Sequence, residues 1–172
     1  MGMVASLEVV PAASFQRHKS TLAELEIPAN AASFQLDKAW LQLHCALRGL
    51  PKPLSLAISG DCPCYSRLEG GLVGMPGELD MNDDEWEKLE QKWDDEGIDP
   101  SCYIGFFSPA LVKKLDRALG KLTEEALFAA IKTAGWSLNK GDKKYYGLAF
   151  RELKKACQVA AKKEDALRIL IT

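Results

Sequence analysis

The chain has 172 residues, 47% hydrophobic and 27% charged, a balance that suits one globular domain with a real core and excludes a disordered chain. The formal net charge is −2, the wrong sign for a dedicated nucleic-acid binder. No apolar run approaches the roughly 20 residues that cross a bilayer, so no membrane partner is expected.

The first residues, "MGMVASLEVV", lack the basic n-region and continuous apolar h-region of a secretory signal, which points to a cytoplasmic protein. Residues 3–10 are rich in β-branched and aliphatic side chains and read as a strand ended by Pro11. "AASFQRHKSTLAELE" then predicts a helix that stops before Pro28. "LDKAWLQLHCALRG" is the strongest helix signal. In it Leu36, Trp40, Leu43, Leu47 and Leu50 follow the i, i+4, i+7 spacing of a buried stripe, and Gly49 followed by Pro51 supplies the stop. From Pro51 to Gly77 the chain is rich in glycine and proline, with one short apolar run, "PLSLAIS".

Glu78 to Asp99, "ELDMNDDEWEKLEQKWDDEGID", holds eleven acids against two lysines. It predicts a helix over 83–96, with Asn82 as cap, Asp83, Asp84 and Glu85 at its positive end and Gly97 after it. Ser108-Pro109 is a helix start, a hydroxyl cap followed by proline, and Leu111, Leu115 and Leu119 carry that helix to Gly120. Thr123 with Glu124 and Glu125 opens another toward Gly135. Asp142 is the expected cap of a long basic helix whose apolar side is Tyr146, Phe150, Leu153, Cys157 and Ala160. "ALRILIT" alternates and reads as a closing strand. Strands at the two ends can pair as neighbours in one small sheet covered by several helices. The expected class is therefore α+β, one domain over 1–172.

Several of these pieces, in this order, resemble the YfbM-like family of small bacterial proteins of unknown function. The resemblance is carried by the "MGM" start running into a strand and by "LDKAWLQLHCALRG" followed by "PLSLAISG". It continues in "FFSPALVKKLDRAL" and in the ending "FRELKKACQVAAKKEDALRILIT". It implies a single α+β domain and brings no catalytic residue to carry over. It also implies that the acidic helical part, at about 61–100, is an elaboration on a shared scaffold, the kind of segment in which specificity is often built.

Candidate chemistry is sparse. The five cysteines, Cys45, Cys62, Cys64, Cys102 and Cys157, are an odd number and read as free thiols; Cys62-Pro-Cys64 has no second pair to complete a metal site. Trp40 and His44 are one turn apart on the buried stripe, and Asp37 is too far back to bond the imidazole, so His44 reads as a histidine at the edge of the core. Gly70, Gly71, Gly74 and Gly77 match neither phosphate-binding glycine pattern. As a calcium loop, "DMNDDEWEKLEQ" has Glu85 where glycine is needed and Gln91 where the terminal glutamate belongs. No metal and no cofactor are expected. The basic helix with Lys143, Lys144, Arg151, Lys154, Lys155, Lys162 and Lys163 reads as a solvated face, unaccompanied by a nucleic-acid motif.

Trp86, Leu89 and Trp93 define one face of the acidic helix, and Asp84, Glu87, Glu90 and Asp94 lie around the others. A domain with no catalytic set and such a surface is expected to bind a protein. The reading is an immunity (antitoxin-like) protein whose acidic surface fills the basic active site of a cognate toxin. Asp83, Asp84, Glu87, Glu90, Asp94 and Asp95 supply the charge, with Trp86 or Trp93 as anchor. The alternative is an enzyme or small-molecule binder with a pocket beside Trp40 and His44.

Overall fold

Ala5, Leu7 and Val9 point to one side of the first strand while Ser6 and Glu8 point to the other, and this two-sidedness organises the whole molecule. The computed structural model describes residues 3–22, 25–63 and 103–172, with Asp84, Glu87, Lys88 and Gln91. Its strands are β1 (Ala5–Val10), β2 (Ser33–Asp37), β3 (Cys62–Pro63), β4 (Tyr103–Phe107) and β5 (Ala166–Ile171). They form one antiparallel sheet in the order β2-β1-β5-β4-β3. The two terminal strands are neighbours as expected, with Leu7 opposite Ile169 and Glu8 opposite Arg168.

The described helices are α1 (Ala12–Arg17), α2 (Trp40–Arg48), α3 (Pro109–Lys121), α4 (Glu124–Thr133) and α5 (Lys140–Lys163), with a short 3-10 turn at Leu54–Leu56. This is the expected α+β class. α5 crosses β2, β1 and β5, α3 packs along α5, and α2 packs against α4. Phe150, Leu153, Ala156, Cys157 and Ala160 of α5 meet Leu7, Phe34, Leu36, Leu167, Ile169 and Ile171 of the sheet in the main core. On the opposite sheet face, Phe15, Leu22 and Leu25 cover Val10, Phe106 and Ala166 in a second, smaller cluster.

The helix starts follow local chemistry. The Ser108 side chain accepts from the Leu111 N–H, with Pro109 at the first helical position, and Thr123 accepts from Ala126. For α5 the expected cap is corrected. Asn139 is the cap, accepting from the Asp142 N–H at 3.0 Å, and Asp142 reaches back to the Asn139 N–H at 2.9 Å. Asp142 therefore closes a capping box from the third helical position.

Three further expectations need correction. Leu36 belongs to β2, where Phe34 and Leu36 alternate with exposed Ser33, Gln35 and Asp37, and the helix begins only at Trp40. A period of two put Leu36 into the same core that a period of 3.6 predicted, so the helical spacing was a coincidence of destination. The first helix is one and a half turns, not four. At its end the Ser14 carbonyl receives the His18 N–H and lies 3.0 Å from the ring Nδ1. Leu25 is already non-helical and docks separately on the sheet. Finally "YIGFF", for which no element was expected, is a strand, β4.

Candidate functional site

Of the residues expected to contact a partner, Asp84 and Glu87 are described, and both are helical and exposed. Lys88 and Gln91 are helical and exposed beside them, and these spacings fall on one helix face. Asp83, Trp86, Glu90, Trp93, Asp94 and Asp95 lie outside the described residues, as do most of the acidic elaboration at 61–100, Cys64, Cys102 and the glycines at 70, 71, 74 and 77.

The second candidate centre is deep in the core. Trp40 is 3% exposed, and its indole N–H donates to the Met3 carbonyl at 3.0 Å, which ties α2 to the chain just before β1. His44, one turn on, is 6% exposed, and among the described residues its ring has no hydrogen-bond partner. Burial, with the nearby Arg48 charge, lowers its pKa to about 4, so the imidazole is neutral at physiological pH. Asp37, which sequence spacing placed too far to bond His44, instead accepts from the Tyr145 hydroxyl at 2.9 Å and joins the end of β2 to α5. Asp37 has a φ of 49°, the left-handed turn that directs the chain from β2 into α2.

Two surface hollows are built by tertiary contact. One, of about 320 Å³, lies between α3 and α5 and is lined by Asp116, Gly120, Arg151, Lys154, Lys155 and Gln158. Arg151 is paired with Glu124, and Lys154 donates to the Leu122 carbonyl at 2.6 Å while lying over the Phe150 ring. The other, also about 320 Å³, includes Lys52, Pro53, Leu56, Asp61, Ser108 and Lys114. At its base Asp61 accepts from the Ser108 N–H at 2.7 Å and from the Ser108 hydroxyl at 2.6 Å. The same hydroxyl caps α3, so the carboxylate, the hydroxyl and the positive end of a 13-residue helix form one unit. Gly60 makes this approach possible. Its φ is 74°, and a Cβ there would lie 2.2 Å from the Phe106 carbonyl oxygen.

Sequence reasoning saw Ser108 as a cap and missed Asp61 altogether. The "SGD" turn was the available signal, but 47 residues separate the two partners. The thiols are quiet. Burial and then the Asp61 charge push Cys62 up, and burial pushes Cys157 up to about 12. Cys45, Cys62 and Cys157 are free. Among the described residues no group of three or more His, Cys, Asp or Glu side chains is arranged to hold a metal ion, and no helix is long and apolar enough to cross a membrane.

An antiparallel sheet that pairs both termini, with four of its helices on one face, defines a small single-domain α+β protein. The chain has a YfbM-like fold. It is similar to the crystal structure of YfbM from Escherichia coli, a protein of unknown function, with a TM-score of 0.57 over 98% of this chain and 99% of that one, at 10% identity. No family model matches the chain, and no curated protein matches its sequence.

Proposed function

We propose that this chain is a cytoplasmic immunity (antitoxin-like) protein that binds a cognate bacterial toxin acting in the cytosol and occludes its active site with an acidic surface. The observation that carries the reading is the exposure of Asp84 and Glu87 on helical backbone, within a segment of eleven acids and two lysines. Carboxylates held on a helix enter a basic cleft with their side chains already spaced, and complementary charge accelerates encounter. Asp83, Glu90, Asp94 and Asp95 extend the charge, and Trp86 or Trp93 supplies the apolar anchor that such contacts use.

The test is co-expression with the product of the adjacent gene, followed by measurement of binding and of rescue from toxicity. Reversal of Asp84, Glu87 and Glu90 to lysine is expected to weaken binding at least about a hundredfold, with the loss mirrored by added salt. Binding that survives the reversal and ignores salt sinks the charge-based mechanism.

One observation favours a second reading, a small-molecule binder or enzyme centred on Trp40 and His44. A neutral imidazole without a hydrogen bond among the described residues is uncommon in a core. The discriminating variant is His44→Ala. Loss of a measurable turnover in the absence of any protein partner would move the assignment to that class.

A further inference from the structure

The exposed side of α3 and α5 is strongly basic. α3 carries four cations against Asp116, and α5 carries eight against Asp142 and Glu152, a net +9 for the pair. Along α5, Lys144, Leu148, Arg151, Lys155, Gln158 and Lys162 follow one helical face, and all six are exposed. At 1.5 Å per residue that stripe is about 27 Å long. The α3/α5 hollow opens beside it, and a Cβ at Gly120 would meet nothing within 4 Å, so the groove floor stays clear.

Among the described residues, neutralisation of these cations is partial. Glu164 pairs with Lys113 and Glu124 with Arg151, whereas Lys144, Lys155 and Lys162 have no ion pair among the described residues. Leu148, on the same stripe, is 50% exposed, which places apolar area among the cations.

Counter-charge of the opposite sign is carried by the same chain. Residues 78–99 hold a net −9, and a helix over the predicted 83–96 would be about 21 Å long, close to the length of the stripe. Asp84 and Glu87 are exposed, so these carboxylates are not covered by the basic helices of their own chain. We propose that the α3/α5 face receives the acidic helix of a second copy of this chain. Two copies related by a twofold axis make the contact twice, which closes a dimer and neutralises both poles. The inference rests on the same acidic face as the immunity reading, and it gives that face a resting partner that a toxin must displace.

Sedimentation velocity on the full chain tests it. A dimer is expected at about 0.1 M salt and a monomer at about 1 M, as the Debye length falls from about 10 Å to about 3 Å. The K155E/K162E variant and the D84K/E87K variant are each expected to weaken self-association more than about tenfold, with circular dichroism confirming that both are folded. Mixed in equal amounts they are expected to form a heterodimer. One contact is then native, and the other has both signs exchanged. A wild-type chain that is monomeric at low salt, a dimer indifferent to both reversals, or a mixture that stays monomeric overturns the proposal. K155E/K162E keeps its acidic face, so its binding to the product of the adjacent gene is read separately. A monomeric wild type that still binds that product removes only the dimer, and a dimer that binds no such product removes only the immunity reading.

Discussion

The two faces of the sheet are built differently. Among the described residues, one face carries a single core of 28 buried residues from α2, α3, α4, α5, the sheet and the connections around α2, whereas the opposite face holds a cluster of six formed by the sheet with α1 and the segment after it. The strands serve both sides through their pleat. Leu167 and Phe107 enter the large core while their neighbours Ala166 and Phe106 enter the small one. Between them on the thin side, Glu8 and Arg168 face each other across the β1–β5 ladder, with the Arg168 Nε–H donating to Glu8 at 2.7 Å. Among the described residues, the thick face holds most of the buried apolar side chains, and the thin face is held by a few side chains and the Glu8–Arg168 ion pair.

The largest test of this difference is a matched truncation. Phe150→Ala in the thick core is expected to destabilise by about 3–5 kcal/mol. Phe15→Ala on the thin side is expected to lose about 1 kcal/mol less, because a cavity under a short helix collapses more easily. Equal losses in denaturant unfolding would break the comparison.

The next effect is a dependence on pH that arises in the thick core. Native His44 has a pKa of about 4, and the unfolded imidazole titrates near its ordinary value of 6.5. Between these values the unfolded chain binds a proton that the native state refuses, so stability falls as pH falls. The His44 contribution is flat above pH 6.5, declines by about 3 kcal/mol on the way to pH 4, and levels off below. His44→Leu should remove that portion of the acid limb. An unchanged acid limb in the variant would show that the loss arises elsewhere.

Smaller still is the joint between the faces, where Asp61 and Ser108 tie the turn before β3 to the start of α3. Ser108→Ala is expected to cost about 1 kcal/mol, and Asp61→Asn a similar amount. The double variant should cost less than the sum because the two share a hydrogen bond. Smallest is the exposed acidic face. Asp84→Lys with Glu87→Lys is expected to change stability by no more than about 0.5 kcal/mol, so a binding defect in that variant reports on recognition and not on folding.

What was legible in the sequence was legible for local reasons. Ser108-Pro109 and Thr123 mark helix starts because a side-chain oxygen satisfies a backbone N–H two or three residues on. "ALRILIT" marks a strand because its side chains alternate over six residues. The apolar side of α5 was visible because 24 residues give a helical period time to declare itself. β2 was hidden because five residues of alternation ran directly into a helical pattern that Leu36 also fits. β4 was hidden because "YIGFF" is short and apolar without alternation, as a strand with both faces covered must be.

The sequence by itself determined the class of the protein, the pairing of its end strands and the separation of its charge into an acidic segment and a basic helix. These follow from composition and from patterns within some twenty residues. Only the tertiary structure decided that Asp61 meets Ser108, that Asp37 holds Tyr145 and leaves His44 alone, and that α3 and α5 lie side by side with their cations outward. Each joins residues far apart in the chain. A hydrogen bond or a shared groove between such residues is set by how the helices seat on the sheet, which no local pattern encodes.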